Sequence, residues 1–211
     1  MAIDNRLLIV GAGGHAKVVI DAARAAGWNP VAALDRIGPG GSCCDVPVIG
    51  TEDRAQALFD EGLCAAVVAI GDNAVRTGIG ARLMALGFDC PAIIHPAATV
   101  SSHSVIEFGA VVMAGAVINA AARVGRFAIV NTNATVEHDC VVGEGAHVAP
   151  RAVMGGDARI GAGVLLGIGG VIKPQTTVGR YALIGAGAVV VSDIPEGAEA
   201  MGVPARFKSG L

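Results

Sequence analysis

The stretch VNTNATVEHDCVVGEGAHV, residues 130–148, carries valine at every sixth position: Val130, Val136, Val142 and Val148. Counted outward in sixes, from Ile94 up to Val190, each step again lands on an aliphatic residue. Four positions after these steps stands a mostly small residue, including Ala110, Ala116, Ala122, Ala128, Ala134, Cys140, Ala146, Ala152 and Ala158. A hexapeptide repeat this regular reads as a parallel β-helix. Each short strand buries one aliphatic side chain, the corner after it admits only a small inward residue, and successive coils pair their backbone groups.

The repeat resembles the left-handed β-helix of the hexapeptide acyltransferases, whose three-sided coils hold three hexads; the left hand is implied by that resemblance. Residues 1–90 follow a different rhythm. RLLIVGAGG reads as a buried strand ending in a glycine turn, HAKVVIDAARAAG as a helix, PVAALD as a strand, EDRAQALFDEG as a helix, AAVVAIG as a strand and NAVRTGIGARLMALG as a helix. Alternating strands and helices predict a parallel sheet with helices packed on it. The expected organisation is therefore an α/β Rossmann-like half domain over residues 1–90, an all-β left-handed β-helix over 91–194 and a tail over 195–211. GFDCP, residues 87–91, forms the junction.

Composition narrows the function. A net charge of −3 with 16% charged residues gives no nucleic-acid footprint. No stretch supplies the roughly 20 uninterrupted apolar residues of a membrane span. The opening MAIDNRLLIVGAGG lacks the basic start and apolar run of a signal peptide. The 5 cysteines are an odd number without a CxxC pair, which favours reduced thiols and a cytoplasmic protein.

Gly11, Gly13, Gly14 and His15 follow a strand and open a helix, and Asp35 ends the next strand, with Arg36 after it. This is the placement of a nucleotide fingerprint: glycine backbone near a pyrophosphate, a helix N-terminus facing it, and an acid near a ribose. Taken alone it suggests NAD. Too few residues precede the repeat for two mononucleotide halves, so a nucleotide diphosphate joined to something other than a second nucleoside fits better. Gly71, Asp72 and Asn73 fall at the same sheet edge.

In the repeat, Val136 points inward, so His138 occupies an outward corner between Glu137 and Asp139. With three hexads per coil, Gly156 stacks over His138 and Gly155 over Glu137. The two glycines are expected to leave an open notch over the imidazole, with a neighbouring acid to orient the ring or raise its basicity. His147 is expected to point outward, and Asn131 to face solvent or a neighbour. A metal site is not expected: His103 and His138 are one residue out of coil register, and position 143, where a third ligand would stand, is glycine.

Along nearly its whole length the chain resembles the bacterial sugar acetyltransferases of the sialic acid O-acetyltransferase (NeuD-like) family, including N-acetyltransferases acting on nucleotide-linked 4-amino-4,6-dideoxy sugars. IVGAGGHAKVV, Leu34-Asp35, AIGDN, NTNATVEHDCVVGEGAHVAP and GVPAR carry the likeness. The resemblance implies a homotrimer with active sites between neighbouring β-helices and acetyl-CoA as co-substrate. It implies His138 as general base assisted by an acid, Asp139 ahead of Glu137. Gly156 N–H would meet the thioester carbonyl, with Asn131 placing the substrate or acetyl group and His147 beside the thioester. Coenzyme A would run along the later coils near Gly185 and Ala186, and the N-terminal glycine turn with Asp35 would hold the nucleotide. O-acetylation of a sialic or related sugar, a non-catalytic nucleotide-binding scaffold and an NAD-dependent enzyme are the alternatives.

Overall fold

Strand β1 (Arg6–Val10) is buried along four of its five residues, as the aliphatic run LLIV requires of a strand covered on both faces. It leads through the glycine turn into α1 (Gly14–Ala25), which buries Ala16, Val19, Ile20, Ala22 and Ala23. The computed structural model describes residues 4–207. It divides into two compact units, residues 1–95 and 96–211; the last four residues of the predicted tail lie outside the described residues.

In the first unit β1 pairs in parallel with β2 (Asn29–Leu34) on one side and with β5 (Ala66–Val68) on the other. Strand β4 (Val46–Gly50) adds in parallel to β2, and β3 (Ser42–Cys43) closes that edge antiparallel to β4. The β3–β4 hairpin is absent from the sequence reading. Its two-residue turn, Cys44 and Asp45, has both residues at positive φ (45° and 63°), as the twist of a tight hairpin demands. The predicted helix over EDRAQALFDEG is split: Glu52–Arg54 form a single 3₁₀ turn before α2 (Ala55–Asp60). Helix α3 (Asn73–Ala85) begins where Asp72 accepts the Val75 N–H through its carboxylate (2.9 Å). Because β2 and β5 flank β1, the sheet reverses its order there, and the crevice at the carboxyl ends of β1 and β5 is where such folds take ligands.

The second unit is a left-handed parallel β-helix of two-residue strands. Thr135–Val136 pairs with Val117–Ile118 before it and Val153–Met154 after it, a shift of one coil each way. From Val112 to Val190 each inward aliphatic residue is at most 1% exposed, and the small residues Ala110 to Ala158 of the neighbouring column are fully buried. Each such aliphatic side chain contributes about 1.5–3 kcal/mol of burial. At the corners one residue per hexad is left-handed, among them Asn133, Asp139 and Asp157 (φ 56°, 62° and 56°), residue types that tolerate this conformation. Stacking extends into the predicted tail, where Glu199–Met201 pairs with Leu183–Ile184 and then with Arg206–Phe207.

Candidate active site

The hexad fixes where His138 stands. Val136 is buried, Asp139 is left-handed and Cys140 is buried again, so the two residues between Val136 and Asp139 form the outside of a corner. The positive φ of Asp139 turns its carboxylate back onto the neighbouring ring: His138 Nδ1 lies 2.8 Å from Asp139 Oδ2. In the neutral imidazole this bond places the proton on Nδ1 and leaves the lone pair on Nε2. The hydrogen bond to Asp139, helped by the charges of Asp139, Glu137 and Asp157, raises the His138 pKa above its ordinary value. The ring is solvent-exposed (63%), open to an incoming group.

Glu137 does another job. Its Oε2 accepts from Asn119 Nδ2 (2.9 Å) in the preceding coil, so of the two acids beside His138 it is Asp139 that orients the ring.

Gly156 sits directly over the imidazole. A Cβ added there would lie 2.6 Å from both Cε1 and Nε2 of His138. The two-glycine notch expected from the sequence is one glycine wide. Gly155 is required by the following coil instead, since its Cβ would stand 2.6 Å from Pro174 Cδ, and its N–H is committed to the Ile172 carbonyl (2.9 Å). Among the described residues the Gly156 N–H donates to no protein group. Beside the imidazole lies a shallow groove of about 490 Å³, lined also by Arg123, Asp157, Arg159 and Gln175, none of which the sequence reading singled out. The coil register could have found them, because they stack on the coils below and above His138.

Asn131 and His147 form a second pair. Asn131 is 8% exposed and faces a neighbour: its Nδ2 donates to His147 Nε2 (3.0 Å) and its Oδ1 accepts the Thr132 N–H (2.8 Å). Gly185 occupies the same corner as Asn131 three coils later, and Ala186 beside it is exposed. This corner precedes the Thr135–Val136 strand, whereas His138 follows it. Within one chain a whole face of the prism separates Asn131, His147, Gly185 and Ala186 from His138, Asp139 and Gly156.

In the first unit a crevice of about 700 Å³ is lined by Gly11, Gly13, Gly14, His15, Asp35, Arg36, Gly71 and Asp72. Gly11 needs its glycine: at φ 108° a Cβ would meet Ile70 Cγ1 at 2.8 Å and the Ala69 carbonyl oxygen at 2.9 Å. No side chain caps α1, which leaves its first turn facing the crevice. Asp35 is partly spoken for, since Oδ2 accepts the Ala12 N–H (2.7 Å) and Oδ1 the Ile37 N–H (3.1 Å). Asn73 does not line the crevice; its Oδ1 accepts from Arg76 NH2 (2.7 Å). Arg76, fully buried and missed in the sequence, also donates to the Ile70 and Gly71 carbonyls (2.9 and 3.0 Å) and braces the turn after β5. Burial lowers its pKa to about 10, so it stays cationic at neutral pH. Burial, with Arg76 nearby, lowers His15 to about 4 and keeps that ring neutral. Gly38, Gly40, Gly41, Ser42 and Glu52 also line the crevice.

Among the described residues no three His, Cys, Asp or Glu side chains are grouped to hold a metal, and no helix is long and apolar enough to cross a membrane.

Comparison with known proteins adds to this geometry. The PglD N-terminal domain family matches residues 6–83. None of the curated proteins searched matches the chain. Among solved structures, a mutant of perosamine N-acetyltransferase from Caulobacter crescentus in complex with CoA and GDP-perosamine is 40% identical, covering 97% of both chains at a TM-score of 0.94. The chain belongs to the NeuD-like family of bacterial sugar acetyltransferases. This acetyltransferase is also similar to the acetyltransferase domain of PglB from Neisseria gonorrhoeae in complex with acetyl coenzyme A. There the identity is 42%, covering 98% of this chain and 100% of that one, at a TM-score of 0.93. WeeI from Acinetobacter baumannii is 25% identical over 96% and 99% of the two chains, at a TM-score of 0.83. The acetyltransferase takes its acetyl group from acetyl-CoA.

Proposed function

We propose that the acetyltransferase moves the acetyl group of acetyl-CoA onto the 4-amino group of a GDP- or UDP-linked 4-amino-4,6-dideoxy sugar. The single observation that carries the chemistry is the His138 ring, tied through Nδ1 to Asp139 and lying with Nε2 beneath Gly156. The likeness to an enzyme seen with CoA and GDP-perosamine supports the substrate class.

His138 Nε2 accepts the proton of the sugar amine as its nitrogen bonds to the thioester carbonyl carbon. Gly156 N–H faces the oxygen that becomes negative in the tetrahedral intermediate. Asp139 steadies the imidazolium so formed, which hands the proton to the departing thiolate as the carbon–sulfur bond breaks. Amide and free thiol are the products, and no covalent enzyme intermediate is needed. A positioned base contributes roughly 10²- to 10⁴-fold, and a single oxyanion donor about 10²- to 10³-fold. The crevice in the first unit is suited to the nucleotide diphosphate, with Gly13, Gly14 and the open first turn of α1 for the phosphates and Asp35 and Arg36 at the nucleoside end.

We also infer a homotrimer. Asn131, His147 and Gly185 stand one corner away from His138, so one chain alone does not join the acetyl-CoA track to the base. The face between those corners turns Val117, Thr135, Val153, Val171 and Val189 outward, a strip that is valine at every step but one and suited to a neighbouring copy. The 5 free cysteines fit a reducing, cytoplasmic setting. Release of free thiol from acetyl-CoA with a panel of nucleotide-linked amino sugars tests the assignment. Turnover with a 4-amino sugar and none with its 4-hydroxyl counterpart is expected; preference for the hydroxyl sugar would overturn it.

A further inference from the structure

Between residues 110 and 158 the inward column that fills the corners of the β-helix is alanine at 110, 116, 122, 128, 134, 146, 152 and 158, broken once, by Cys140; outside that span it holds Ser104, Val164, Gly170 and Thr176. The thiol is fully buried, and packing does not require it, since alanine serves the same place on either side. Its Sγ donates to the Gly155 carbonyl (3.1 Å), which already accepts the Ala158 N–H (3.0 Å) as a turn bond common to the corners. Gly155 therefore carries a second donor that equivalent carbonyls such as those of Asn131, Gly143 and Ala149 do not.

The Gly155 carbonyl and the Gly156 N–H belong to one peptide unit. In a trans peptide they point in opposite directions. A carbonyl held toward the buried thiol turns the N–H to the opposite side, away from the core, at a residue whose open Cβ direction faces the His138 ring. A donor on the carbonyl oxygen also polarises the amide, which strengthens its N–H as a donor in turn.

We infer that Cys140 is a positioning residue for catalysis: its thiol fixes and polarises the Gly155–Gly156 peptide so that the Gly156 N–H is aimed at the thioester oxygen. The inference rests on the acetyl-transfer reading above. Burial raises the thiol pKa, which keeps the S–H in place as a donor at neutral pH. The role is non-covalent; the sulfur stays inside the prism and never meets the acetyl group.

The test compares Cys140→Ala and Cys140→Ser with the parent enzyme, by steady-state kinetics with acetyl-CoA and the amino-sugar nucleotide and by the pH dependence of kcat. Loss of a whole oxyanion donor costs about 10²- to 10³-fold, and loss of the group that aims it should cost less. Cys140→Ala is expected to lower kcat about 10-fold with both KM values within about twofold of the parent and the His138 pH limb unmoved. Cys140→Ser, whose hydroxyl can donate to the same carbonyl, is expected to recover most of that loss. Full activity in Cys140→Ala, or equal losses in both variants, would overturn the inference. A parent that releases no thiol with any amino sugar would instead reject the acetyl-transfer reading, and with it the role assigned here.

Discussion

Two adjacent glycines make a paired prediction, because alanine at each meets a different kind of obstacle. At Gly156 the added Cβ lies 2.6 Å from Cε1 and Nε2 and 3.3 Å from Nδ1 of His138. Ordinary contact begins near 3.4 Å, so the ring must retreat by roughly an ångström, and as an exposed side chain it can. The fold should lose little, under about 1 kcal/mol. The chemistry should lose much: a displaced ring breaks the 2.8 Å bond to Asp139 and withdraws Nε2 from the reacting amine. Gly156→Ala is therefore expected to lower kcat at least about 100-fold, the lower bound for losing a positioned base. At Gly155 the obstacle is Pro174, with its N at 2.7 Å and Cδ at 2.6 Å, which cannot yield without moving the next coil. Gly155→Ala should cost about 1–3 kcal/mol of stability as overpacking, read as a Tm several degrees lower. Thermal melts and steady-state thiol release on both variants decide the matter. A Gly156→Ala enzyme keeping more than half its kcat would refute the placement of the ring.

Asp139→Asn removes the group that raises the His138 pKa. Activity needs the neutral ring, so the acid limb of the pH–rate profile should move to lower pH while the plateau kcat falls; an unmoved limb would show that Asp139 does not set the base. His15, lowered to about 4 in the folded chain against about 6.5 when unfolded, binds fewer protons in the native state between those values. Its contribution is therefore present above pH 6.5 and lost as pH falls toward 4, by up to about 3 kcal/mol. A His15→Asn variant should show a correspondingly flatter decline of Tm over that window, and an identical slope would contradict the burial of the ring. Met154→Ala, at a fully buried inward position one coil above Val136, should destabilise by about 2–5 kcal/mol in denaturant melts.

The β-helix could be read from one-dimensional periodicity because its core requires the same thing every six residues, and the inward positions from Val112 to Val190 are all buried. The same register put His138 on the outside and Gly156 above it. Which acid serves the histidine was not decidable from adjacency. It depends on the left-handed turn at Asp139, which folds that carboxylate back, and on Asn119 in the preceding coil, which occupies Glu137. Spacing names the stacked coils on both sides but not which way each Cβ would point: Gly156 opens onto His138 below, whereas Gly155 opens onto Pro174 above. In the first unit, strands and helices showed in the apolar runs. The β3–β4 hairpin did not, since Ser42–Cys43 is too short to carry a period. Arg76 was overlooked because a lone arginine on a helix reads as solvated; only the convergence of two carbonyls and Asn73 makes its burial tolerable.

The measurement closest to the centre of the account is the turnover of His138→Ala at saturating acetyl-CoA and amino-sugar nucleotide, alongside its affinity for acetyl-CoA. A kcat lower by about 10²- to 10⁴-fold with acetyl-CoA binding retained is the predicted result. Turnover equal to that of the parent would contradict the role of His138 as the proton acceptor.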